Sequence, residues 1–350
     1  FERARQRQRI VLIRMSDVGY VSPEDARIAA QQELVLEPLR SSARSGSYFL
    51  DLVIDSLEAQ YGAQVVYHGG LKVFTTLDPQ LQAWAVASVQ AGLATLDEEI
   101  GVLKAEADRR PQGALAAVET RSGAVKAMVG GRDYAETEYN RAVYSQRLPG
   151  SGFKPFVYYA AFETENLNPA TVAVDRPVRI PVVGARDWEP QNFSRRYRGP
   201  MILKRAFTQS VNTIAAQIVE ETGPDAVIQA AQKCGIKSPL DPVYSVALGT
   251  SGVSPLEMAS AFATFATGGI RHDPFWIQRV EDAYGHVLQE RIVSGRKSLN
   301  PEITYQVVDM MQAVIENGTG EVIRRLGFRL PAAGKTGTTN DFRDAWFTGF

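Results

Sequence analysis

Ser151-Gly-Phe-Lys154 follows directly on Pro149-Gly150. On a helix, positions i and i+3 share a face, so this spacing predicts the Lys154 amine beside the Ser151 hydroxyl. A serine hydroxyl attacks poorly until a neighbouring base takes its proton. Lysine can be that base only when neutral, which requires burial or a nearby cation. Lys335 is a candidate for that cation. The Pro-Gly lead-in lets the chain turn sharply and places Ser151 in the first helical turn. There the free amides and the helix dipole favour developing negative charge.

Spacing alone decides nothing here, because the chain holds a second S-x-x-K, Ser294-Gly-Arg-Lys297, and a second S-x-N, Ser298-Leu-Asn300. Both lie in a polar connection without an apolar helix behind them and are read as chance matches. Ser151 has companions in a set. Ser210-Val-Asn212 sits among apolar residues, where Ser210 can shuttle a proton and Asn212 can hold a substrate amide. Lys335-Thr-Gly-Thr338 reads as an edge strand whose Gly337 admits a ligand backbone, while Lys335 and the hydroxyls of Thr336 and Thr338 meet a carboxylate. The amides of Ser151 and Thr338 would form an oxyanion hole.

The elements that must position these residues are legible in outline. Ile10, Leu12, Ile13 and Met15 form a helical stripe ended by Gly19, and Ser22-Pro-Glu-Asp25 opens a second helix with Ser22 as its cap. A third runs from Tyr48 to Tyr61. Gly70–Leu77 reads as a strand, followed by a helix from Pro79 to about Leu96. Residues 97–112 are charged and poor in large apolar groups, and the domain boundary is placed there. Ala114–Val118 and Ala124–Val129 then form a hairpin through Arg121-Ser-Gly123. Helical patterns span Ser151–Glu165 and Leu203–Thr222, Ser254-Pro-Leu-Glu257 caps another helix, and strands return at Phe275–Val280 and at Ala345–Phe350. The expected fold is α+β, one antiparallel sheet packed with helices, preceded by a mostly helical segment.

Composition sets limits on function. A 350-residue chain with 45% hydrophobic and 22% charged residues has the make-up of a globular protein. A net charge of -1 argues against nucleic acid as a partner, and the Arg3–Arg14 and Arg195–Arg205 stretches read as solvated faces. Cys234 stands alone and the three histidines, His68, His272 and His286, have no partners at ligand spacing, so no metal or other cofactor is expected. No run approaches the about 18 apolar residues needed to span a bilayer. The first residue is Phe1 and the last strand-like run has nothing after it, so both ends are expected to be cut.

The three motifs, in this order, resemble those of penicillin-binding proteins and serine β-lactamases. Val118–Gly131, Tyr139-Asn-Arg-Ala142, Leu148–Phe156, Trp188-Glu-Pro-Gln-Asn192, Gly318-Thr-Gly320 and Gly334–Asn340 narrow the likeness to bifunctional, class A penicillin-binding proteins. Gly69–Asp78 is similar to that family's inter-domain segment. The resemblance implies a serine β-lactamase/D,D-transpeptidase-like fold, with 1–45 the tail of a glycosyltransferase domain, 46–112 an inter-domain region and 113–350 a transpeptidase domain lacking its C-terminal part. It implies a two-step acyl transfer. Ser151 attacks the penultimate D-alanine of a peptidoglycan stem peptide, terminal D-alanine leaves, and an amine of a neighbouring stem cross-links. β-Lactams would acylate the same serine. Lys154 would act as base, Ser210 as relay, and Lys335 with Thr336 and Thr338 would hold the substrate carboxylate. Cell-wall synthesis proteins, a membrane anchor outside this sequence and an extracytoplasmic location are implied too. Gly152 departs from the family's common threonine, and no catalytic glutamate motif of a glycosyltransferase is present. No E-x-x-L-N stretch lies between Asn212 and Lys335, which disfavours a β-lactamase. A D,D-carboxypeptidase and a non-catalytic penicillin sensor stay open as alternatives.

Overall fold

Ser22 Oγ accepts from the Asp25 amide at 3.1 Å and Pro23 opens the helix Pro23–Gln31, as the capping pattern requires. This helix and Glu2–Asp17 belong to the first of two compact units, Phe1–Arg44, and Gln8 Nε2 donates to Ala29 O between them at 3.4 Å. Ile10, Ile13 and Tyr20 remain exposed in this unit. The computed structural model describes residues 2–32, 47–101, 110–182, 184, 186–339 and 343–350.

The second unit, Ser45–Phe350, begins well before the expected boundary. From the helix Ser47–Tyr61, Phe49, Leu52, Val53 and Leu57 pack with Val125, Met128, Leu256, Ile277 and Val280 in one apolar cluster. Strand Lys72–Thr75 pairs antiparallel with Ile277–Glu281, which pairs with Val287–Glu290. Asp78 caps the helix Pro79–Ile100, and buried Gln82 exchanges two hydrogen bonds with the Met128 backbone, at 2.9 and 2.8 Å. Residues 47–100 therefore differ from a bare connection: their apolar side chains pack with residues beyond 113, and buried Gln82 bonds to the backbone there. Part of the expected boundary, 102–109, lies outside the described residues.

The fold is α+β, antiparallel strands packed with helices. Among the described residues the strands fall into one three-stranded and four two-stranded sheets, rather than a single one. The main core surrounds the helix Lys154–Thr164, in which every residue from Lys154 to Phe162 is buried. A helix apolar all round must be enclosed, and Leu203–Thr208, Asn212–Thr222, Pro224–Cys234, Pro255–Ala266 and Pro301–Asn317 enclose it. Ser254 and Glu257 form the expected capping box.

Two helix expectations need correction. Ser151 lies in a 3-10 turn, Gly150–Phe153, and the α-helix starts only at Lys154, with Pro155 in its first turn. Gly150 has φ 55°, a left-handed value that turns the chain ahead of the helix. The helix expected over Leu203–Thr222 is two helices, Leu203–Thr208 and Asn212–Thr222. Between them the Ser210 amide donates to Phe207 O at 2.9 Å and the Val211 amide to Ala206 O at 2.9 Å. These two bonds define a Schellman ending, which places Ser210 at φ 55° where glycine is usual.

Candidate active site

Three pieces of chain converge where Gly150, Gly249 and Gly337 meet. The Gly150 amide donates to Gly249 O at 3.3 Å. A Cβ on Gly150 would lie 2.6 Å from Thr338 O, and one on Gly337 would overlap Pro149 O. A side chain at position 337 is thus excluded by the chain's own backbone. These contacts press the Ser151 turn against the strand Gly334–Thr338, which forms a hairpin with Ala345–Gly349. Asp344, between the hairpin strands, accepts from Arg147 Nε at 2.7 Å, and its amide donates to Thr339 Oγ1 at 2.9 Å. Asn340 lies outside the described residues.

Lys154 is wholly buried, and its amine donates to Ser210 O and Asn212 Oδ1 at 2.8 Å, to Ser210 Oγ at 3.2 Å and to Val211 O at 3.4 Å. Lys335 is equally buried, and its amine donates to Ser210 Oγ at 3.1 Å and Thr336 O at 3.1 Å. Two lysine amines thus flank one hydroxyl. Burial and then the charge of Lys335 push the Lys154 pKa well below the usual lysine value. Burial alone brings Lys335 down to about 7. The left-handed Ser210 exposes its own carbonyl and hydroxyl together to Lys154, a geometry that costs about 1–3 kcal/mol for a residue with a side chain.

The structure gathers Lys154, Ser210, Asn212 and Lys335 into one hydrogen-bonded cluster. The Lys154 N–H donates to Ser151 O in the 3-10 turn, but the Ser151 hydroxyl makes no hydrogen bond among the described residues, so the expected contact of that hydroxyl with the Lys154 amine is not formed. Strand alternation buries Lys335 and Gly337 and leaves Thr336 and Thr338 on the more open face. Thr336 Oγ1 meets Thr319 Oγ1 at 2.5 Å. Thr319 was not among the expected site residues, although Gly318-Thr-Gly320 was noted; glycines on both sides of a hydroxyl were the available signal. The decoy positions go elsewhere: Ser294 and Lys297 are exposed, and Asn300 caps the helix Pro301–Asn317 through Oδ1. Among the described residues no group of acidic, histidine or cysteine side chains could hold a metal.

The model for the penicillin-binding protein transpeptidase domain matches residues 113–350. Penicillin-binding protein 1A of Aquifex aeolicus is 31% identical, over 100% of this chain and 57% of that protein. Its counterpart in Neisseria gonorrhoeae is 38% identical over 68% of this chain and 31% of that protein. The chain therefore spans less than two thirds of the length of these relatives. Among solved structures, penicillin-binding protein 1A from Haemophilus influenzae has a TM-score of 0.84 at 25% identity, covering 100% of this chain and 70% of that one. PonA1 from Mycobacterium tuberculosis, in complex with penicillin V, has a TM-score of 0.70 at 26% identity, with coverage of 88% and 81%.

Proposed function

This chain belongs to the penicillin-binding protein transpeptidase family, and from that premise we propose that it cross-links peptidoglycan stem peptides through an acyl-enzyme on Ser151. The observation that carries this reading is the pair of buried lysine amines sharing the Ser210 hydroxyl. Burial pushes the Lys154 pKa well below the usual lysine value and so favours the neutral amine a general base needs. The Lys335 charge acts in the same direction, and Ser210 offers a path for the proton toward the leaving group. Substrate entry closes the remaining gap, since catalytic hydrogen bonds commonly tighten only once substrate is bound.

In this reading Ser151 Oγ attacks the penultimate D-alanine carbonyl and its proton passes to Lys154. The developing oxyanion is met by the amides of Ser151 and Thr338. Thr336 and Thr338 receive the terminal carboxylate, Lys335 supplies positive charge behind the strand, and Asn212 aligns the peptide amide. Collapse of the tetrahedral intermediate expels D-alanine with a proton returned through Ser210, and a stem-peptide amine then takes the acyl group. A β-lactam follows the first half of this path and stays on Ser151. The reading extends to the regions: 1–45 as the tail of a glycosyltransferase domain, 46–112 as an inter-domain region, 113–350 as the transpeptidase. It places the domain on the extracytoplasmic face of a bacterial membrane, among cell-wall synthesis proteins. Among the described residues no helix is long and apolar enough to cross a membrane.

Labelled penicillin tests the proposal. Stable labelling that disappears in Ser151→Ala supports it, whereas rapid release of hydrolysed drug sinks it in favour of a β-lactamase. Cross-linked products from a pentapeptide donor and an amine acceptor separate transpeptidation from trimming by a carboxypeptidase and from a sensor that does not turn over.

A further inference from the structure

Asp175 ends the strand Val172–Asp175 and is 2% exposed, yet among the described residues no cationic side chain pairs with it. Its partners are neutral donors. Oδ1 accepts from Asn192 Nδ2 at 2.7 Å and from Thr213 Oγ1 at 2.6 Å, and Oδ2 accepts from the Arg198 amide at 2.9 Å. With its NH2 group donating to Asp175 and also to Arg196 O at 3.0 Å, Asn192 turns its oxygen away from both. That oxygen accepts from the amides of Asn212 at 2.9 Å and Thr213 at 3.3 Å.

Those are the first amides of the helix Asn212–Thr222, whose own cap residue, Val211, offers no side-chain acceptor. Asn192 is a cap delivered from a separate segment. The residue before it continues the linkage: Gln191 O accepts from Asn212 Nδ2 at 2.9 Å. With its NH2 group so engaged, Asn212 turns its Oδ1 to Lys154, 2.8 Å from the amine. Asp175 and Arg196 O hold the Asn192 NH2 group, Asn192 Oδ1 holds the first amides of the helix, and Gln191 O orients the Asn212 side chain.

We propose that Asp175 and Asn192 are positioning residues for acylation, holding Asn212, and through it the Lys154 amine, in the orientation the serine needs. The proposal rests on the assignment of Ser151 and Lys154 given above.

Rapid labelling of the whole chain with a fluorescent penicillin reads two quantities, the fraction of protein acylated and the limiting rate at saturating drug. A residue needed only for folding lowers the first, and a positioning residue lowers the second. Asp175→Asn keeps the shape and removes the acceptor, so the limiting rate is expected to fall about ten-fold with the labelled fraction unchanged. Asn192→Asp is expected to do the same by facing one acceptor with another. The exchange D175N/N192D restores a donor opposite an acceptor, though not the donor to Arg196 O, and recovers part of the lost rate. A native rate in either single variant, or an exchange no faster than the slower single variant, overturns the proposal. Should a single variant fail to fold, Thr213→Val deletes one donor to Asp175 at constant shape, with an expected loss of about three-fold; a native rate there overturns it as well. Ser151→Ala in parallel keeps the two claims apart. Labelling that survives in Ser151→Ala removes the serine assignment itself, whereas labelling lost there beside a native rate in Asp175→Asn removes only the positioning role.

Discussion

Ser151-Gly-Phe-Lys154 and Ser294-Gly-Arg-Lys297 share a spacing and differ in almost every physical respect. The first begins in a 3-10 turn and hands over to a fully enclosed helix, so Lys154 loses its water and gains four oxygen partners. The second runs into a two-residue strand, where Lys297 pairs by its backbone with Ile270 and its side chain stays exposed. A lysine in water is a charged group with no lone pair free to take a proton. What turns a spacing into chemistry is the exclusion of solvent and the nearness of a second charge, neither of which the spacing contains.

That comparison breaks most decisively at the serines. Ser151→Ala is expected to abolish penicillin labelling and Ser294→Ala to leave it native; equal labelling of the two variants would erase the distinction. Next come the lysines. Lys154→Met is expected to slow acylation by about 10²–10⁴-fold, against no change for Lys297→Met, both read as second-order rates of drug consumption. The glycines follow. Gly337→Ala drives a methyl into the Pro149 backbone, whereas Gly295→Ala meets only the side chains of Ile270 and His272, which can move. A loss of about 1–3 kcal/mol in denaturant unfolding is expected for the former, and a smaller one for the latter.

The smallest effect is a pH signature of the buried pair. Lys335 has a folded pKa of about 7 against an ordinary value of 10.5. Between those values the unfolded chain holds the proton and the folded chain does not, so stability rises with pH across that window. Below about pH 7 both states are charged and the full cost of burying the ammonium is present. The stability advantage of Lys335→Met over the native chain should therefore be greatest below pH 7 and shrink toward pH 10, as followed by melting temperature. An advantage independent of pH would mean that Lys335 is not neutral in the folded protein at any point in this range.

Local signals were legible in the sequence, and contacts across long sequence distances were not. Ser22, Asp78 and Ser254 cap their helices through groups two or three residues away. The break at Ser210 gave no warning, because a Schellman ending is signalled by glycine or asparagine and this one carries serine. The order of the motifs was sufficient to nominate Lys154, Ser210, Asn212 and Lys335. It could not nominate Asp175, whose significance depends on Asn192 and Thr213 reaching it from other segments. The close approach of Gly337 to the Pro149 carbonyl was not legible either, because nothing near it in sequence foretells that contact. Residues 47–100 look like a connection for the same reason, since the surface they cover comes later in the chain.

The pairing of Lys72–Thr75 with Ile277–Glu281 also has a consequence in time. The Thr76 amide donates to Trp276 O at 3.0 Å, and the Thr76 hydroxyl reaches Trp276 O across 200 positions of sequence. A ribosome finishes the early strand long before it makes the later one. At about 5–20 residues per second, the newborn strand waits on the order of 10 to 40 seconds with its hydrogen-bonding groups unmatched. Throughout that interval the nascent chain must be kept from other strands by something other than its own fold.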